Sequence, residues 1–127
     1  AAVASVSGTL LNCTGPTSHP MPVVHLHGTS DGVVSYNGSN DWNSVQSTLD
    51  YWTSFNNTIS TPTINTDNTG GMTIEHYSYE QGDNSVSVEH YKYIGGDHVW
   101  FNEPYQGQNA SELVWNFMSK YDINGLR

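Results

Sequence analysis

A chain of 127 residues is long enough for one domain with a single modest core. Acidic side chains outnumber basic ones 12 to 3, for a formal charge of −9. That balance excludes partners bound through clustered Lys and Arg, nucleic acid and anionic membrane surfaces alike. Charged residues are 12% of the chain, about half the usual ~25%. Ser, Thr, Asn and Gly take their place at 52 of the 127 positions, an uncharged polar surface suited to a secreted or periplasmic protein. No apolar run nears the ~20 residues that span a bilayer.

In chain order, Ala2 to Ser7 reads as a short buried strand, entered without a lead-in and ended by Gly8. Cys13 is the single cysteine, so no internal disulfide forms; it is either a small core residue or paired outside the chain. A Pro-punctuated loop, "TGPTSHPMP", leads into an apolar strand from Val23 to His27 that stops at Gly28. Asn-Gly in "YNGSND" marks a turn. From Asp41, read as an N-cap, Trp42, Val45, Leu49, Trp52 and Phe55 recur every three or four residues, the stripe of an amphipathic helix.

Asn56 to Gly71 reads as an Asn/Thr-rich loop. Met72 to Tyr79 and Ser85 to Tyr93 alternate and predict two strands paired through "EQGDN". After the loop "GGDHVWFNEPYQGQ", a last helix is expected from Asn109 to Tyr121, with Leu113, Val114, Phe117 and Tyr121 inward. Four glycosylation sequons stand at Asn12, Asn37, Asn56 and Asn109. The order of elements is α/β, and it reads as the second half of a mostly parallel sheet with flanking helices and an added hairpin.

Gly28-Thr29-Ser30-Asp31-Gly32 matches G-x-S-x-G, the turn that carries the nucleophile of serine esterases. That turn requires a helix directly after the serine, and here Val33 to Gly38 favours extended structure and a turn. The chemistry is therefore assigned to the neighbour, Asp31, an acid at a strand tip. Its partner is His98 in "GGDHVW", where Gly95 and Gly96 permit a tight turn after a strand. A carboxylate that orients an imidazole is the acid–base half of a Ser-His-Asp triad, and Asp before His is the order in α/β-hydrolases.

Together, "PVVHLHGTSDGVVSYNG" and "YKYIGGDHVWFN" resemble the secreted polyhydroxybutyrate depolymerase and feruloyl esterase group of α/β-hydrolases. There, H-G-T-x-D-x-V-V-P-Y carries the triad acid and G-G-G-H-x-W the triad histidine. The resemblance covers nearly the whole chain but only the C-terminal part of the family's domain. It implies carboxylic-ester hydrolysis without a cofactor or metal, Asp31 and His98 as catalytic residues, Trp100 beside the substrate, and a serine before Ala1. This chain alone would then be inactive and would need the upstream segment as partner. Departures are Ser35 where Pro is usual, Asp97 in place of the third Gly, and Phe101-Asn102 where Pro-Gly is usual. A carboxylate at Asp97 is expected to raise the pKa of His98.

Three other readings use the same residues. His25 and His27 share a strand face and suit a metal, with His76, His90 or Asp31 as a third ligand. The metal-free alternative has His27 bonded to the loop holding Asp31 and His25 packed. The aromatic residues suit a non-catalytic carbohydrate-binding or interaction module, although Trp42, Trp52 and Trp115 fall at helix-core spacing. Tyr77 with Tyr79, and Tyr91 with Tyr93, each share a strand face as core or binding surface. Finally, the free edge of the first strand suits association, through the upstream segment or a homodimer.

Overall fold

The computed structural model describes residues 1–10 and 19–127; Cys13, the Asn12 sequon and most of the Pro-rich loop lie outside them. The protein is mixed α/β. Seven strands occur among the described residues: β1 (Val3–Val6), β2 (Val23–Gly28), β3 (Thr63–Asp67), β4 (Ile74–Tyr79), β5 (Val88–Tyr93), β6 (Tyr121–Asp122) and β7 (Gly125–Leu126). Two α-helices accompany them, α1 (Val45–Asn56) and α2 (Ala110–Met118). The main sheet runs β1-β2-β5-β4-β3, and β6 and β7 form a separate small ribbon.

Strands β1, β2 and β5 are parallel, whereas β5-β4 and β4-β3 are antiparallel. The sheet is thus mixed, its parallel part β1-β2-β5 extended by antiparallel strands. The expected hairpin is β4-β5, and it is one strand larger than expected. The segment "TINTD", read as loop, is β3, an edge strand with four of five residues exposed. Its polar side chains face water and its backbone pairs with β4 alone, so it carries no apolar alternation to detect.

One helix covers each face. Val23, Val88 and Tyr79 pack with Val45 and Leu49 of α1. Val24, Leu26, Tyr91 and Tyr93 pack with Leu113 and Phe117 of α2. Each tyrosine pair therefore contributes to a core, on opposite faces. Every residue of β2 is buried, as befits a strand covered on both sides.

Helix α1 starts later than the stripe suggested. Ser44, not Asp41, is the N-cap, its hydroxyl accepting from Ser47 N–H, and Trp42 lies in the preceding loop. Helix α2 opens with a capping box between Asn109 and Glu112 and ends at Met118, so Tyr121 belongs to β6. Trp115 is 69% exposed, correcting its reading as core. Asn56 is fully buried, its amide exchanging hydrogen bonds with the Met21 backbone at 2.7 Å, so this sequon is a structural tie rather than a glycosylation site.

Candidate active site

Parallel pairing sets Gly28 opposite Tyr93, so the loops after β2 and β5 leave the sheet side by side. Four hydrogen bonds stitch them together. Thr29 N–H donates to Tyr93 O (3.0 Å) and Ser30 N–H to Gly96 O (2.9 Å). Gly95 N–H donates to the Thr29 hydroxyl (2.7 Å), and Gly32 N–H reaches Asp97 Oδ1 at 3.4 Å. The approach is so close that a Cβ on Gly28 would sit 2.2 Å from Gly96 O. Gly95, at φ +79°, makes the turn that begins the second loop.

This stitching brings Asp31 and His98 together. His98 Nδ1 lies 2.9 Å from Asp31 Oδ2. A carboxylate only accepts, so Nδ1 carries the proton and Nε2 presents its lone pair. The Asp31 side chain has no exposure, while that of His98 is 39% exposed. The other carboxylate oxygen accepts from Val33 N–H and Val34 N–H at 2.8 Å each, a local turn built by Asp-Gly-Val-Val. Burial raises the Asp31 carboxyl pKa, but the Val33 amide, the His98 imidazole and the Val34 amide outweigh it and hold the group below its ordinary value. Asp31 is therefore an anion at neutral pH.

His27 supports the same loop. Its Nε2–H donates to Val34 O at 2.7 Å and lies 3.3 Å from Asp31 Oδ2, while its buried Nδ1 has no partner among the described residues. His25 is packed, donating from Nε2 to Gly8 O, with His90 against its other nitrogen at 3.3 Å. Both imidazoles thus spend a nitrogen on a backbone carbonyl. His76 pairs with Glu89 at 2.6 Å instead of joining them. Among the described residues no group of three or more His, Cys, Asp or Glu side chains is placed to hold a metal.

Ser30 is exposed and is followed by bends and turns, with no helix until Val45. The support that G-x-S-x-G needs is missing. Asp97 Oδ1 accepts His98 N–H at 2.7 Å and Gly32 N–H, so the carboxylate pins both loops. Trp100 is 55% exposed and donates from its indole to the Ser111 hydroxyl on α2 at 3.0 Å. The residues that sequence reasoning missed are the backbone donors of Val33 and Val34 and the Thr29 clamp. The Asp-x-Val-Val spacing was the one available signal for the donors.

Compared with known proteins, the chain matches no family model, and a search of curated proteins returns no match. Among the described residues no helix is long and apolar enough to cross a membrane.

Proposed function

We propose that this chain supplies the acid and the histidine of a Ser-His-Asp carboxylic-ester hydrolase of the polyester depolymerase or feruloyl esterase type, with a serine from a segment preceding Ala1. The observation that carries the reading is the 2.9 Å contact between the exposed His98 imidazole and the buried, amide-held Asp31 carboxylate. A buried anion that fixes one tautomer and leaves Nε2 free is the arrangement a general base requires.

In the reaction, His98 Nε2 takes the serine proton as the serine oxygen attacks the ester carbonyl carbon. The resulting imidazolium is stabilised by Asp31, which stays ionised. The bond to the alcohol oxygen then breaks, and the proton on Nε2 passes to the leaving alkoxide. Water repeats the cycle on the acyl-serine: His98 accepts its proton, the acid leaves, and the serine is reprotonated. No metal or cofactor enters these steps, and the secreted or periplasmic setting fits the uncharged polar surface.

Fluorophosphonate labelling of the parent protein, followed by peptide mapping, tests the reading. Label on an upstream serine, lost in His98→Ala, is the expected result; label on Ser30 overturns it. The second reading, a carbohydrate-binding module, draws on the exposed Trp100 and Trp115. In that case Trp100→Ala abolishes retention on polysaccharide, and no serine is labelled.

A further inference from the structure

The end of the sheet away from Asp31 and His98 carries an open cleft of about 330 Å³. Small-molecule sites occupy roughly 300–1,000 Å³. Among the described residues the lining includes Glu80, Ser87, Glu89, Lys120, Tyr121 and Leu126. Val88 packs against α1, so its neighbours Ser87 and Glu89 project to the α2 face. Leu10 and Met21, on either side of residues 11–18, bond instead to Thr48 and Asn56 of α1. The six residues of β5 separate the cleft from the loop of His98, on the order of 20 Å of extended chain.

A chain of hydrogen bonds builds the floor. The Tyr121 hydroxyl donates to Ser87 Oγ at 2.8 Å, and the Ser87 hydroxyl donates to Glu89 Oε2 at 3.3 Å. His76 Nε2 holds Glu89 Oε1 at 2.6 Å. Each carboxylate oxygen keeps a further lone pair. Lys120 Nζ stands 4.0 Å from Glu89 Oε2, too far for a hydrogen bond, and has donors to spare. Both groups reach solvent: the Glu89 side chain is 11% exposed and that of Lys120 52%.

An acceptor and a donor 4.0 Å apart suit one group that both donates and accepts, a hydroxyl. An anion would be repelled by Glu80 and Glu89 and a cation by Lys120, while an apolar body would strip water from all three charges. Leu126, half-exposed, offers an apolar wall to the C–H face of a ring. We propose that this cleft binds a neutral saccharide, a pyranose whose hydroxyls bridge Lys120 and Glu89 and whose C–H face lies on Leu126. The site needs neither a serine nor Trp100, and so stands apart from both readings above. It holds a sugar at the far end of the sheet and does no chemistry on it.

Titration of the ¹⁵N-labelled chain with D-glucose, D-galactose and D-xylose in turn tests the proposal. Cyclohexanol, a six-membered ring with one hydroxyl, and glycine, a zwitterion, are the controls. The expected result is a saturable shift of the Ser87, Glu89 and Tyr121 amides with at least one sugar, and none with either control. Lys120→Met keeps the stem of a half-exposed side chain and removes the ammonium. It should weaken binding about three-fold or more, the worth of one hydrogen bond. Glu89→Gln should do the same, read at the Tyr121 amide. A linear response to all three sugars overturns the proposal, as does unchanged affinity in Lys120→Met. Saturation by glycine at these amides also overturns it, since that would mark a zwitterion site. So do sugar shifts confined to Trp100 and Trp115, which would favour the carbohydrate-module reading instead.

Discussion

Three hydrogen bonds end on the Asp31 carboxylate, from Val33, Val34 and His98, and His27 Nε2 stands 3.3 Å away. Such a group is a poor proton acceptor, which keeps it negative when His98 becomes positive. On the proposed hydrolase reading, Asp31→Asn and His98→Ala in the parent protein should each lower kcat by about 10³-fold or more, while Ser30→Ala leaves it nearly unchanged. Steady-state kinetics on a soluble ester checks all three. The folded Asp31 pKa lies below its ordinary value of 3.8, so its stabilisation is present above that value and lost as pH falls through the folded one. Gly28 is the second residue with a sharp expectation. Its α-hydrogen faces Gly96 where a Cβ would sit 2.2 Å from the carbonyl oxygen. Gly28→Ala must push the loops apart, and urea unfolding should show a loss of about 1–3 kcal/mol.

The elements with strong periodicity were legible in the sequence, and those shaped by tertiary context were not. Strand β2 announced itself because both its faces are covered, and β4 and β5 did so through alternating Tyr and Val. Strand β3 stayed hidden because an exposed edge strand asks nothing of its side chains. Trp115 misled because spacing places a residue on a helix but does not say how wide the buried stripe is. Asp31 and His98 were legible as a pair because each follows a strand and a glycine, and parallel register does the rest. The amides that hold Asp31 were hidden because every residue has one. Helix α2, with its capping box, tests local energetics: Asn109→Ala should cost about 1 kcal/mol, measured as a shift in the urea midpoint.

Across the whole molecule the α1 side of the sheet is unusual in burying imidazoles. His25 donates to Gly8 O, His90 Nδ1–H donates to His25 O at 2.9 Å, and the Tyr36 hydroxyl donates to His90 Nε2 at 2.8 Å. This chain of bonds is satisfied only while both imidazoles are neutral. Burial, chiefly, pushes His25 down to about 4 and His90 well below 6.5. For a histidine whose folded pKa is depressed, the unfolded chain takes up the proton first. Stability is therefore complete above 6.5 and is lost as pH falls from there toward the folded value. Each histidine contributes a slope of up to about 1.4 kcal/mol per pH unit in that window. Urea titrations at descending pH should show the decline begin near 6.5, and His90→Gln should make it shallower.

The parallel pairing of β2 with β5 also has a consequence in time. Strands β3, β4 and β5 follow one another through short connections and can zip together locally. Strand β2 joins β5 only after the chain has travelled from residue 28 to residue 88 and returned. Closing so long a loop is paid in entropy before any contact repays it, so this pairing forms late. Asp31 and His98 hang from the same end of it, one beyond each strand, and they meet only when it closes. The nascent chain thus carries no assembled acid–base pair while its sheet is incomplete, and the site comes into being as the last seam of the fold is drawn shut.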